Sequence, residues 1–367
     1  DQVRSLMEGL GSIRDVILNN SQKEFLEIYK KADRLMRYRQ ASSKYLAYLP
    51  RFALEGLALV VIASISLILV LNSSLETLPI LGAFALGGQR LLPALQQSYS
   101  AWAGIKANKG PVLEVIKMTS QYVKPEIKLS KKHDINFRQS ITLENVSFQY
   151  SKSSNKVLKN INLHIKKGEK IGIIGTTGSG KSTFMDILMG LIPPSEGKMF
   201  VDSNEIYKNQ GFLLNWRKIV SHVPQNIFLN DTSIAENVAF GIPKGKIDIK
   251  RLKKVLEISQ LKDFISKSRE GIDLIVGERG TKLSGGQCQR IGIARALYNQ
   301  KDIIFLDEAT SALDYKTEGM IINSLTNSNK ELTLIMVTHR PSSLSNFDRI
   351  FELKDGYLFE TKEIKSL

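Results

Sequence analysis

A glycine-rich turn set between a short apolar strand and a helix constrains this 367-residue chain more than any other feature. The apolar text KIGII (170–174) runs into Gly175, Thr176, Thr177, Gly178, Ser179, Gly180, Lys181, Ser182 and Thr183, and TFMDILMGL continues from Thr183 with helical character. Strand, tight turn, Lys-Ser and helix match the phosphate-binding loop template in full. Glycines let main-chain N–H groups approach phosphate oxygens, and the helix start adds a partial positive charge. In such a loop Lys181 reaches the outer phosphates and the Ser182 hydroxyl ligates Mg²⁺.

Two further stretches extend this chemistry. Ile303-Ile-Phe-Leu-Asp307-Glu308 is a hydrophobic strand ending in two carboxylates, which emerge at the ligand edge if the strand is parallel to its neighbours. Asp307 suits a Mg²⁺ partner, and Glu308 suits a base that polarises an attacking water. Leu283-Ser284-Gly285-Gly286-Gln287 opens a second helix, expected over Cys288–Tyr298 with Ile291, Ile293, Ala294 and Leu297 apolar. It is another anion-binding helix start. Two such starts in one chain pose a question that a head-to-tail pair of copies resolves, each covering the other's nucleotide.

The surrounding text predicts α/β architecture. ITLENVSFQY (141–150) and VLKNINLHI (157–165) alternate as exposed-face strands, whereas DIIFLDE and ELTLIMVTH are continuous apolar runs suited to a buried parallel sheet. The expectation is a mostly parallel sheet with an antiparallel β part at its front. A single cysteine, Cys288, excludes a disulfide framework and a Cys-based zinc site, and four scattered His exclude a His-rich metal site. The net charge of +15 leaves nucleic acid or an anionic membrane surface as partners. No basic stripe interleaved with aromatics accompanies it, so no nucleic-acid partner is expected.

The first hundred residues read differently. Phe52–Leu71 is an apolar run with one charge, Glu55, and a helix of that length spans roughly 30 Å, the hydrocarbon thickness of a bilayer. The alternative is a buried core helix. A weaker run covers about 76–103, broken by Glu76, Arg90, Pro79, Pro93 and Gly87-Gly88, and Asn72-Ser73-Ser74 joins the two. Residues 1–51 hold ten Lys/Arg, and Lys106, Lys109 and Lys117 follow the second run. The bias places both flanks in the cytosol and the joint outside, a membrane hairpin. Residues before the hairpin have helical apolar spacing amid dense charge, either an amphipathic helix or a cytosolic extension of the first membrane helix. The mixed text of 123–140 reads as a linker. The chain opens at Asp1 with no leader-like text and is expected to be a piece of a longer protein.

Taken together these residues resemble the ATP-binding cassette proteins, over about residues 141–367. The resemblance implies a P-loop NTPase cassette with antiparallel β and helical subdomains, using ATP and Mg²⁺. It assigns Tyr150 to stacking on adenine and Gln225, in Val223-Pro224-Gln225, to Mg²⁺ and the water. Ser284, Gly285, Gly286 and Gln287 resemble the signature that caps the partner subunit's γ-phosphate. Ser311-Ala-Leu-Asp314 resembles the loop across the dimer seam, and His339 the switch histidine at the γ-phosphate. Val276-Gly-Glu-Arg279-Gly280 is similar to a loop of exporter-type cassettes. Residues 1–122 would then be the last part of an exporter membrane domain, with a coupling loop within Ile13–Tyr29 and the first four helices missing. Cys288 departs from the family's usual Arg or Lys, and Ser221-His222 from its usual Gly-Tyr. The implied whole is an ATP-hydrolysing half-transporter in a bacterial inner membrane, paired with a second copy or a paralogous half. Its cargo would be exported or flipped, and GSIRDVILNNSQ is similar to flippases of lipid-linked oligosaccharides. The competing reading is a soluble or peripherally anchored cassette ATPase without transport.

Overall fold

Continuous apolar strands need cover on both faces, and the computed structural model of the chain provides it. It describes residues 2–71, 78–120, 137–151, 155–328 and 330–361. The chain divides into two units, Asp1–Lys124 and Pro125–Leu367.

The second unit holds two sheets. A four-stranded antiparallel sheet of order β2-β1-β4-β5 is built from β1 (Ser140–Phe148), β2 (Leu158–Lys166), β4 (Glu196–Val201) and β5 (Asn204–Glu205). A six-stranded sheet of order β10-β9-β3-β8-β7-β6 uses β3 (Lys170–Ile174), β6 (Val220–Val223), β7 (Ile303–Asp307), β8 (Thr333–Val337), β9 (Arg349–Lys354) and β10 (Tyr357–Thr361). Its inner strands pair in parallel, and only the β9–β10 hairpin is antiparallel. In β7, Ile303 and Phe305 enter one core with Ile171, Ile173 and Phe184, while Ile304 and Leu306 enter another with Ile293, Ile321 and Leu334. That is the two-residue period of a strand covered on both sides.

Helices α5 (Lys181–Leu188) and α6 (Gln210–Ile219) serve the first core, and α10 (Gly285–Tyr298) and α11 (Tyr315–Ser328) the second. A third cluster, with Ile234, Leu252, Val255, Leu261, Ile291 and Tyr298, ties α7 (Ile234–Val238), α8 (Ile249–Ile258) and α9 (Lys262–Lys267) to the far side of α10. This is a helical subdomain. One boundary differs from the sequence reading. Phe137, placed in the linker, is 2% exposed and sits edge-on to Trp216 at 6.4 Å, so it belongs to the first core of the second unit. The linker's remainder up to residue 136 lies outside the described residues.

The first unit is helical: α1 (Gln2–Gly11), α2 (Ile13–Leu18), α3 (Gln22–Leu71) and α4 (Leu78–Thr119). At 50 residues α3 is about 75 Å long and runs from the charged segment into the apolar run without a break. From Gln22 onward the pre-hairpin segment is therefore an extension of the same helix, and the residues before it form the separate α1 and α2. Gln2 donates to Tyr29 Oη (3.0 Å) and Asp33 (2.8 Å), fastening α1 to α3. Among the described residues no helix is long and apolar enough to cross a membrane. The side chains at 69–70 and 78–81, where two apolar runs meet their joint, lie outside the described residues, as do residues 72–77.

Candidate functional site: the carboxyl edge of the six-stranded sheet

Parallel strands in register deliver their carboxyl ends to one edge, and the pairing here aligns four of them. Ile173 is opposite Val337, Val337 opposite Asp307, and Leu306 opposite Val223. Within two residues beyond these strand ends lie Gly175, His339, Glu308 and Gln225, so segments far apart in sequence arrive together.

The loop after β3 is built for an anion. Gly178 (φ +82°) and Gly180 (φ +102°) adopt left-handed backbone, and a Cβ on Gly178 would meet nothing within 4 Å, so the cradle is open there. Lys181 is 6% exposed, and its ammonium donates to the carbonyls of Gly175 and Thr176, both at 2.9 Å. Burial lowers its pKa, with Glu308 and Asp307 opposing the shift. Ser179 Oγ is buried and has no partner, a donor left to be satisfied by something outside the chain. These residues fit a polyphosphate. Asp307 is held above the ordinary carboxylate range by burial first and the neighbouring Glu308 second, while a hydrogen bond from Ser182 works against both. A carboxylate and a hydroxyl form a hard oxygen pair, the donor set Mg²⁺ takes alongside phosphate.

At the centre stands Glu308. Its backbone is left-handed (φ +48°), an uncommon state for a non-glycine residue, fixed by its N–H bonding to Val337 O at 3.0 Å. One carboxylate oxygen accepts from Gln225 Nε2 at 2.7 Å, and the other lies 2.6 Å from His339 Nε2. Glu308 therefore joins the other two residues expected at the reacting phosphate, one on each carboxylate oxygen.

Tyr150 lies two residues beyond β1 rather than closing it. Its ring packs edge-on to Phe148 at 5.0 Å, stays 69% exposed, and its hydroxyl bonds Thr183 Oγ1 at 2.9 Å. An aromatic face is thus left free beside the start of α5.

The signature begins its helix earlier than expected, at Gly285 rather than Cys288. Ser284 is the N-cap: its hydroxyl accepts from Gln287 N–H, and Gln287 Oε1 accepts from Ser284 N–H at 2.8 Å. Gly285 and Gly286 supply the exposed first turn, and a Cβ on Gly286 would come 3.1 Å from Ala312 O. Among the described residues no hydrogen bond joins this helix start to the phosphate loop. Cys288 is half-buried in α10, with burial raising its thiol pKa. His222 packs on β6 beside Phe305; its Nε2 has no partner and burial lowers its pKa, the environment of a packing residue. Arg279 carries a left-handed backbone (φ +52°) in the loop before the signature.

Three residues that sequence reasoning passed over surround the 311–314 loop. Gln289, 5% exposed on α10, accepts from Ala312 N–H (2.9 Å) and donates to Ser311 Oγ (3.0 Å). Arg340 and the buried Glu318 hold it from the other side. Their sequence signals were slight: Arg340 follows His339, Glu318 is four residues after Asp314, and Gln289 lies two residues beyond Gln287.

Residues 158–311 match the ABC transporter family. The chain is 40% identical over 229 residues to the alpha-hemolysin translocation ATP-binding protein HlyB of Escherichia coli O6:H1, covering 62% of this chain and 32% of that protein. It is 35% identical over 307 residues to HlyB of E. coli O157:H7, covering 82% and 41%. It is also 40% identical over 221 residues to the leukotoxin translocation ATP-binding protein LktB of Mannheimia glucosida, covering 60% and 30%. The chain thus spans about a third to two-fifths of the length of these curated relatives. Among solved structures it resembles a bacterial Atm1-family ABC exporter with ATP bound, with TM-score 0.83 and 25% identity over 98% of this chain and 63% of that one.

Proposed function

We propose that this chain, which belongs to the exporter-type ABC transporters, is the ATP-hydrolysing part of a half-transporter that works as a dimer. The observation that carries the proposal is the Gln225–Glu308–His339 contact at the sheet edge beside an open phosphate loop. In this reading the ring of Tyr150 stacks on adenine. Main-chain N–H groups of residues 175–183 and the Lys181 ammonium take the phosphates. Ser182, Asp307 and Gln225 would hold Mg²⁺, which supplies charge neutralisation on the phosphate oxygens when bound. Glu308 accepts the proton of the attacking water, His339 fixes the carboxylate and faces the γ-phosphate, and Gln225 orients the water. Phosphoryl transfer needs little covalent help, so such positioned charges account for most of the rate. The exposed start of α10, capped by Ser284 and Gln287, is left to cover the nucleotide of a second copy.

The first unit supports a membrane part. Among the described residues before Phe137, Val16 is the only buried hydrophobic, while Phe52, Leu57, Leu59, Val60, Leu67 and Ile68 stand exposed along α3. Apolar side chains left exposed along one helix, with no core of their own, call for lipid or neighbouring helices around them. We place α3 and α4 in the inner membrane with their charged ends and the cassette in the cytosol, and read α2 as part of the coupling loop. For the cargo, the text GSIRDVILNNSQ favours a lipid-linked oligosaccharide. The named relatives are translocation proteins for alpha-hemolysin and leukotoxin, which makes a polypeptide the competing cargo. ATPase stimulation in liposomes by a lipid-linked oligosaccharide, compared with a polypeptide, separates the two.

Glu308→Gln tests the catalytic assignment. Removing a general base costs about 10²–10⁴ in rate. The variant should retain ATP binding, lose turnover by at least about a hundredfold, and accumulate as a nucleotide-loaded dimer in light scattering. Turnover near the unsubstituted rate would remove Glu308 from the role.

A further inference from the structure

Glu318, in the first turn of α11, is 2% exposed. A carboxylate withdrawn from water persists only when paired and hydrogen-bonded, and this one accepts from Thr310 Oγ1 (2.7 Å), Ser343 Oγ (2.7 Å) and Arg340 Nη1 (2.8 Å). Arg340 does more than neutralise it. The guanidinium also donates to the main-chain carbonyls of Leu313 (2.9 Å) and Ser311 (3.0 Å), and it lies over the Tyr315 ring at 4.9 Å. One planar cation thus fastens three segments: the turn after β8, the 310–314 loop and the start of α11. Lysine has no fork that could do this.

What these segments carry gives the arrangement its meaning. Arg340 directly follows His339, whose Nε2 is 2.6 Å from Glu308. At the other end, Ser311 N–H bonds Glu308 O at 3.1 Å, so the loop that Arg340 holds starts at the carboxylate residue itself. Both partners of the Glu308–His339 contact are therefore tied through the backbone to the same buried ion pair.

We infer that Arg340 and Glu318 are a positioning pair for ATP hydrolysis, holding His339 against Glu308 without touching a reacting atom. This rests on the proposed ATPase reading. A small misplacement of a catalytic group costs up to about a hundredfold in rate while leaving ground-state binding intact. The loss should therefore fall on kcat.

The test measures steady-state ATPase kinetics, binding of a fluorescent ATP analogue and thermal stability of the whole chain in detergent. The variants are Arg340→Gln, Glu318→Gln and Arg340→Lys, each alone and in a His339→Ala background. Arg340→Gln and Glu318→Gln should each lower kcat about tenfold or more, with KM and analogue affinity changed less than about twofold. Arg340→Lys keeps a cation beside Glu318 and guards against misfolding; it should fold and still lose kcat, because the two carbonyl contacts go. In the His339→Ala background the Arg340 substitutions should add little, since they act through that ring. Full additivity in that background, or a fall in stability with kcat unchanged, overturns the inference. If the unsubstituted chain does not turn over ATP, the ATPase reading fails; if Glu308→Gln retains turnover, the Glu308–His339 contact is not the reacting centre and the positioning role falls with it. If Glu308→Gln is inactive while the Arg340 and Glu318 variants turn over normally, only the positioning role fails.

Discussion

At the residue scale, the site shows how one side chain's surroundings set its use. Asp307 and Glu308 are adjacent carboxylates with different surroundings, because β7 ends between them. Asp307 stays half in the sheet beside Ser182, whereas the left-handed backbone at Glu308 turns its side chain toward Gln225 and His339. Tyr150 makes a similar point. Its hydroxyl bonds Thr183 while its ring remains exposed, so stacking and hydrogen bonding can be separated. Base–aromatic stacking contributes roughly 1–3 kcal/mol. Tyr150→Ala should therefore weaken ATP binding by about five- to a hundredfold in equilibrium titration, whereas Tyr150→Phe should remain within about threefold, losing one part-buried hydrogen bond. Equal losses in the two variants would mean that the hydroxyl, not the ring, holds the nucleotide.

At the scale of elements, two helices of this chain start with the same device. Ser233 with Glu236 caps α7, and Ser284 with Gln287 caps α10; both are reciprocal capping boxes. The α7 start is buried, with Ser233 3% exposed and paired to Ile275, while the α10 start is open to solvent. Loss of an N-cap hydroxyl destabilises by about 1 kcal/mol. Ser233→Ala and Ser284→Ala should lower the melting temperature by similar amounts in calorimetry. Only Ser284→Ala should also slow ATP turnover, because only that helix start is free to meet a phosphate. If both slow turnover alike, the Ser284 hydroxyl is a cap and nothing more. Both box patterns could be read from the text as Ser followed three residues later by Glu or Gln. The buried or exposed setting of each could not, because it depends on what the third cluster packs against.

At the scale of the whole molecule, the two units differ in how they satisfy their apolar residues. The cassette covers its sheet on both faces and closes a third cluster around α10. The N-terminal unit buries one hydrophobic among its described residues and leaves the apolar run of α3 exposed. The whole chain should therefore stay with membranes through high-salt and alkaline washes and leave them only with detergent. Release by salt alone would favour a peripheral cassette, held by the basic charge through screened attraction.

The sequence by itself determined the parts whose chemistry is local. The glycine loop with Lys181 and Ser182, the carboxylates ending β7, the capped signature and the two-residue period of the strands are each written in consecutive residues. Short-range sterics and hydrogen bonding suffice to specify them. Tertiary structure decided what depends on register between strands far apart in the chain, that Glu308 meets both Gln225 and His339, and what depends on packing of distant segments, that Phe137 joins the core against Trp216. It alone brought Arg340, Glu318 and Gln289 around the 311–314 loop. Burial of an ion pair is a property of the space that several segments enclose, and no stretch of neighbouring residues encodes it.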